Sequence, residues 1–169
     1  MQTYSLPYFG EIDIDNLKND YRINRIWEDR ELSLDINFEN KNISIEGFNI
    51  LNNFLNGLEL FDKQNRRSIF QNLIEGGDAE DYLNFYIDEF DDDELSRLIH
   101  LDNEDIDPRV QLFHLLKLVR VGMYPEFQFD KNEYAVFDYS IEIEGKMCNQ
   151  LLVVVINDKG KLHHITWES

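Results

Sequence analysis

Leu32-Ser33-Leu34-Asp35-Ile36-Asn37-Phe38 alternates apolar and polar side chains with a period of two, the pattern of a β-strand that buries one face and wets the other. Upstream, Tyr21 to Trp27 alternates less cleanly, and Glu28-Asp29-Arg30 can reverse the chain between the two stretches, which predicts an antiparallel hairpin. A shorter strand is expected over Tyr8 to Ile14. Downstream the spacing changes. From Ser44 onward Phe48, Leu51, Phe54, Leu55 and Leu58 recur at helical intervals, with Ser44 placed as an N-cap and Gly57 near the C-terminal end. Asp62 reads as the cap of a second helix that carries Ile69, Phe70 and Leu73 on one face and stops at Gly76-Gly77. Asp78 reads as the cap of a third, with Tyr82, Phe85 and Tyr86 turned inward, and a short fourth carries Leu95, Leu98 and Ile99. Asp107-Pro108 starts a fifth, because the first helical position tolerates the missing N–H of proline.

The last third returns to strands: Leu118 to Tyr124, Tyr134 to Ile143, Leu151 to Ile156 and Leu162 to Trp167, the last two joined by a turn at Asn157-Asp158-Lys159-Gly160. The unbroken apolar run Leu151 to Ile156 implies a strand covered on both faces, or one deep in the sheet, and it is expected to be central. A β start, a helical middle and a β end predict an α+β fold, a mainly antiparallel sheet of about five to seven strands with helices packed on one face as a two-layer sandwich. A chain of 169 residues with 12 Phe and 8 Tyr can bury a sizeable core, so a single α+β domain over 1–169 is expected, with two subdomains split near residue 76 as the alternative.

Charge is the strongest chemical feature. The chain has 34 acidic against 16 basic side chains, a formal charge of -18, which repels nucleic acid and anionic membranes and attracts basic partners. Residues 75 to 107 hold 14 of those acidic side chains with Arg97 as the single basic one. The N-terminal stretch lacks the basic start and apolar run of a secretory signal, and the longest apolar run is far short of the roughly 20 residues of a membrane-spanning helix. With Cys148 the only cysteine, an internal disulfide is impossible and a cytoplasmic setting is expected.

Specific chemistry is harder to find. Asp102-Asn103-Glu104-Asp105-Ile106-Asp107 lacks the central glycine of a calcium loop, and Phe113 stands where the closing Glu belongs. His163 and His164, adjacent on a strand, are expected to point to opposite faces and so not to share a metal. His100 and His114 lie apart in the helical region. No nucleophile elbow and no phosphate-binding glycine loop occurs, and no metal or cofactor is expected. Activation of Cys148 as a nucleophile requires a base or cation that sequence alone does not place. Asp138, between Val136-Phe137 and Tyr139, is expected to be partly buried and to need a partner. With Tyr139, Trp167 and Glu168 as sheet neighbours, it marks a possible pocket for a small-molecule enzyme, although a structural role accepting hydrogen bonds is the simpler reading.

Tyr124-Pro125-Glu126, Val136-Phe137-Asp138-Tyr139-Ser140-Ile141, Asn149-Gln150-Leu151-Leu152-Val153-Val154 and Ile165-Thr166-Trp167-Glu168-Ser169, with the early Tyr8-Phe9-Gly10-Glu11-Ile12, together resemble a bacterial family classified only as a domain of unknown function. The resemblance spans nearly the whole chain in short strand-like pieces; it implies a compact α+β fold and transfers no catalytic residue. In general character the chain also resembles small acidic immunity proteins that neutralise toxins. The functional expectation is therefore an acidic protein-binding module for a basic protein, with Asp88, Glu89, Asp91, Asp92, Asp93 and Glu94 among the contacts.

Overall fold

The computed structural model describes residues 2–103, 105–127 and 131–169; Glu104, counted above in the acidic segment and the calcium-like loop, lies outside them. The chain opens with a two-stranded antiparallel ribbon, β1 (Thr3–Leu6) and β2 (Gly10–Asp13). Of the strand expected over Tyr8 to Ile14, residues 10–13 are extended while Tyr8 sits in the connecting turn with φ 70°. The predicted hairpin forms from β3 (Asp20–Trp27) and β4 (Arg30–Asn37). Glu28 and Asp29 both take positive φ, 48° and 62°, the hand of tight turn that matches the twist of the flanking strands.

Helix α1 (Ile45–Asn56) starts where Ser44 Oγ accepts the Gly47 N–H at 3.1 Å. Gly57 ends α1 and at once begins α2 (Leu58–Ile74), its carbonyl accepting the Phe61 N–H. Asp62 is therefore not a cap: it lies a full turn inside α2, buried, because the junction at Gly57 starts the helix earlier than the polar residue suggests. Helix α3 (Asp78–Glu89) is capped by Gly77, with Asp78 its first residue and Asn72 Oδ1 accepting the Ala79 N–H. The short α4 (Asp92–Leu95) begins with a reciprocal capping box between Asp91 and Glu94, and α5 (Pro108–Phe113) is capped by Asp107.

Strands β5 (Leu116–Met123), β6 (Ala135–Ile143), β8 (Leu151–Ile156) and β9 (Leu162–Glu168) complete a sheet in the order β3-β4-β5-β6-β8-β9, with the two-residue β7 (Lys146–Met147) on β6. The fold is α+β, but this seven-stranded sheet is mixed where a mainly antiparallel one was expected. The difference lies at β4 and β5, which pair in parallel over Ser33–Ile36 and Arg120–Met123. The five α-helices of the described residues all intervene between them, and a parallel neighbour needs such a long crossover. Strand β8 is internal but not central. The tight turn at 157–160 lays β9 along its outer side, and β5 and β6 occupy the middle.

Register sorts the sheet residues into two faces. Leu34, Val121, Phe137, Val154 and Ile165 align across the strands, and their neighbours Asp35, Gly122, Val136, Val155 and His164 align beside them on the other face. Helical side chains reach the first face: Phe54 of α1 meets Phe137 at 6.4 Å between ring centroids, and Phe85 of α3 meets Trp167 at 5.6 Å. Tyr139 also joins this side, its hydroxyl donating to Asp62 of α2 at 2.8 Å. Among the described residues no helix is long and apolar enough to cross a membrane.

Candidate functional site

The acidic side chains expected at a partner surface all come to the outside. Asp88 and Glu89 close α3, Asp91 to Glu94 open α4, and each of the six is exposed. Their local energetics differ. Carboxylates at a helix N-terminus are favoured by the helix dipole, so Asp91, Asp92, Asp93 and Glu94 stabilise α4. Asp88 and Glu89 sit at a helix C-terminus with no basic residue in the last turn, where the same dipole opposes them. Beside this ridge lies a cleft of about 260 Å³ with Phe90, Leu98 and Ile143 as apolar walls and Glu94, Arg97 and Glu144 as charged ones. Arg97 bonds Glu144 at 3.3 Å, so the lone cation of the segment is directed across the cleft rather than toward the acidic ridge.

The other sheet face carries a charge cluster that alternation alone does not reveal. Arg120 on β5 donates through Nε and a terminal nitrogen to the two oxygens of Asp35, at 2.7 and 2.9 Å, and through its other terminal nitrogen to Asp138 at 3.0 Å. Parallel pairing of β4 with β5 and antiparallel pairing of β5 with β6 bring the three together: Ser33, two residues before Asp35 and on the same face, pairs with Arg120, which pairs with Asp138. Gly122 leaves the room, because a Cβ there would press on the Arg120 guanidinium and on Asp35 Oδ2. Burial raises the Asp138 pKa, and the hydrogen bond and charge of Arg120 only partly reverse this. Burial likewise works against the charge on Arg120, yet hydrogen bonds to Asp35, Tyr124 and Asp138, with the Asp35 charge, hold its pKa above the ordinary value. The signal available in sequence was one charged residue inside each of two apolar strands, Leu34-Asp35-Ile36 and Val119-Arg120-Val121.

The anticipated grouping of Asp138, Tyr139 and Trp167 does not assemble. Asp138 is buried against Arg120, whereas Tyr139 and Trp167 lie on the helix-covered face, as alternation along β6 and the Leu152–Trp167 register require. Burial first, and then the Asp62 carboxylate, push the Tyr139 hydroxyl well above the usual phenol range. On the open face, which Asp138 shares, a cleft of about 290 Å³ is lined by Tyr124, Glu133, Val136, Val153, Val155, His164, Thr166 and Glu168.

The two adjacent histidines also depart from expectation. A register shift between Val155 and Ile156 makes His163 an extra residue on β9, and such a bulge breaks alternation. The rings therefore stand side by side, with their Nδ1 atoms 3.0 Å apart. His100 and His114 are exposed elsewhere, and Cys148 is half-buried. Comparison with protein-family models, with curated proteins and with solved structures returned no match.

Proposed function

We propose that the chain is an acidic binding module for a basic protein, of the immunity type in which the partner is a toxin held inactive. Asp88 and Glu89 carry this reading. Local stability disfavours both carboxylates at the end of α3, yet they stand exposed just before Phe90, which walls the cleft, and next to four more acidic side chains. Residues that break a local rule without a structural return are the ones that function retains. The cleft receives the apolar stem of a partner side chain while the carboxylates draw in its positive charge. In this reading the helices form one layer over the sheet and present the α3–α4 edge away from it. In this reading Asp138 serves the fold, because Arg120 occupies it.

The test is affinity capture of the partner from the source cell, followed by association kinetics at low and high ionic strength. Asp91, Asp92 and Asp93 are changed together to Asn, which keeps a good N-cap at position 91. The triple variant is expected to associate roughly tenfold more slowly at low salt, with the difference shrinking as salt screens the surface. Equal rates for both proteins, unresponsive to salt, sink the proposal and leave the acidic ridge as a solubilising surface.

A further inference from the structure

We infer that Glu133, His163 and His164 form a binding site for a divalent transition-metal ion of the zinc class, independent of the acidic ridge. One ligand atom from each of the three lies within 4.8 Å of the others. The two Nδ1 atoms are 3.0 Å apart, and His163 Nδ1 lies 3.6 Å from Glu133 Oε1. Tetrahedral ligands about 2.0–2.1 Å from a zinc ion stand about 3.3–3.4 Å from one another. These two spacings straddle that edge length and the third is no more than 4.8 Å, so rotations about the side-chain torsions can bring all three atoms into the first coordination sphere.

The backbone explains why they converge. The β9 bulge turns His163 to the side of His164, and antiparallel β6 and β8, with β9 beyond, bring the start of β6, just after Glu133, level with this part of β9. Two imidazole nitrogens and one carboxylate select the ion. Calcium and magnesium take six or more oxygens, whereas imidazole suits zinc and its neighbours in the first transition row. Three protein ligands leave a fourth position for water, the open form of a zinc centre. Glu133 and His164 also line the open-face cleft, so that position adjoins the walls formed by Val136, Val153 and Val155. The strongly negative chain raises the local concentration of any cation.

The experiment titrates the full chain with zinc chloride by calorimetry and with cobalt chloride by visible absorption. The wild type is expected to take up one zinc ion saturably and to give the intense bands of tetrahedral cobalt. His163→Ala and His164→Ala should each weaken zinc binding roughly tenfold or more and abolish the bands, and Glu133→Gln should weaken it by a similar factor. These side chains are at least partly exposed, so circular dichroism should find the variants folded. A variant with both His100 and His114 changed to Ala should bind as the wild type does. The inference is overturned by an absence of saturable zinc uptake at micromolar concentration. It is equally overturned by uptake that survives both His163→Ala and His164→Ala, since the ion then sits on surface carboxylates.

Discussion

Arg120 stands between two buried carboxylates, and a variant without its charge leaves both without a counter-ion. Arg120→Met should cost about 3–5 kcal/mol, the usual penalty for stranding buried charge, measured by urea denaturation. The acid side of the same cluster has a definite sign. A carboxyl whose pKa is raised by folding stabilises the native state most below its unfolded value and loses that contribution as pH climbs through the folded one. Asp138 is such a group. The stability of Asp138→Asn relative to wild type should therefore improve as pH rises from below the ordinary carboxylate range toward neutrality; a constant difference means that Arg120 fully offsets the burial. Tyr139 offers a neutral counterpart. Tyr139→Phe removes the hydroxyl that donates to Asp62, leaving that buried carboxylate with the 3.3 Å contact to Arg66, and should cost about 1–3 kcal/mol.

At the level of elements, one side chain fixes a connection. Glu126 accepts the backbone N–H groups of Glu39, Asn40 and Asn42 at 2.6, 3.0 and 2.7 Å, pinning the loop between β4 and α1. Glu126→Ala should lower stability by about 1–3 kcal/mol, because those donors then have only water to meet, and amide exchange should speed up first in residues 39 to 42. Features of this local kind were legible in the sequence. Ser44 and Asp107-Pro108 announce helix starts, and Glu28-Asp29 announces a hairpin, since each acts on its own few residues. Asp62 misled because a polar residue near a helix start looks the same whether it caps the helix or is buried within it to meet a distant tyrosine. The histidine pair was hidden because one inserted residue at a bulge reverses the side to which everything beyond it points. Alternation names the buried face of a strand and is silent about its neighbour, which is why the β4–β5 pairing, and with it the Asp35–Arg120–Asp138 cluster, could not be read.

Over the whole molecule, a charge of -18 makes the surface repel itself. Moderate sodium chloride should therefore raise the melting temperature in scanning calorimetry, and a fall would show that salt-sensitive pairs such as Arg30 with Glu142 outweigh the repulsion. The proposed partner surface was legible only as charge: sequence located the carboxylates, and the fold added that two of them, Asp88 and Glu89, oppose a helix dipole. The parallel pairing has a consequence in time. Hairpin β3–β4 is complete early in synthesis, yet the inner edge of β4 must wait for β5, roughly 80 residues later. At about 5–20 residues per second, that leaves an unpaired hydrogen-bonding edge beside Leu32, Leu34 and Ile36 exposed on the ribosome for several seconds. The nascent chain is thus most vulnerable to aggregation in this interval, and a chaperone that covers the hairpin until β5 emerges should raise the yield of folded protein more than one added after release.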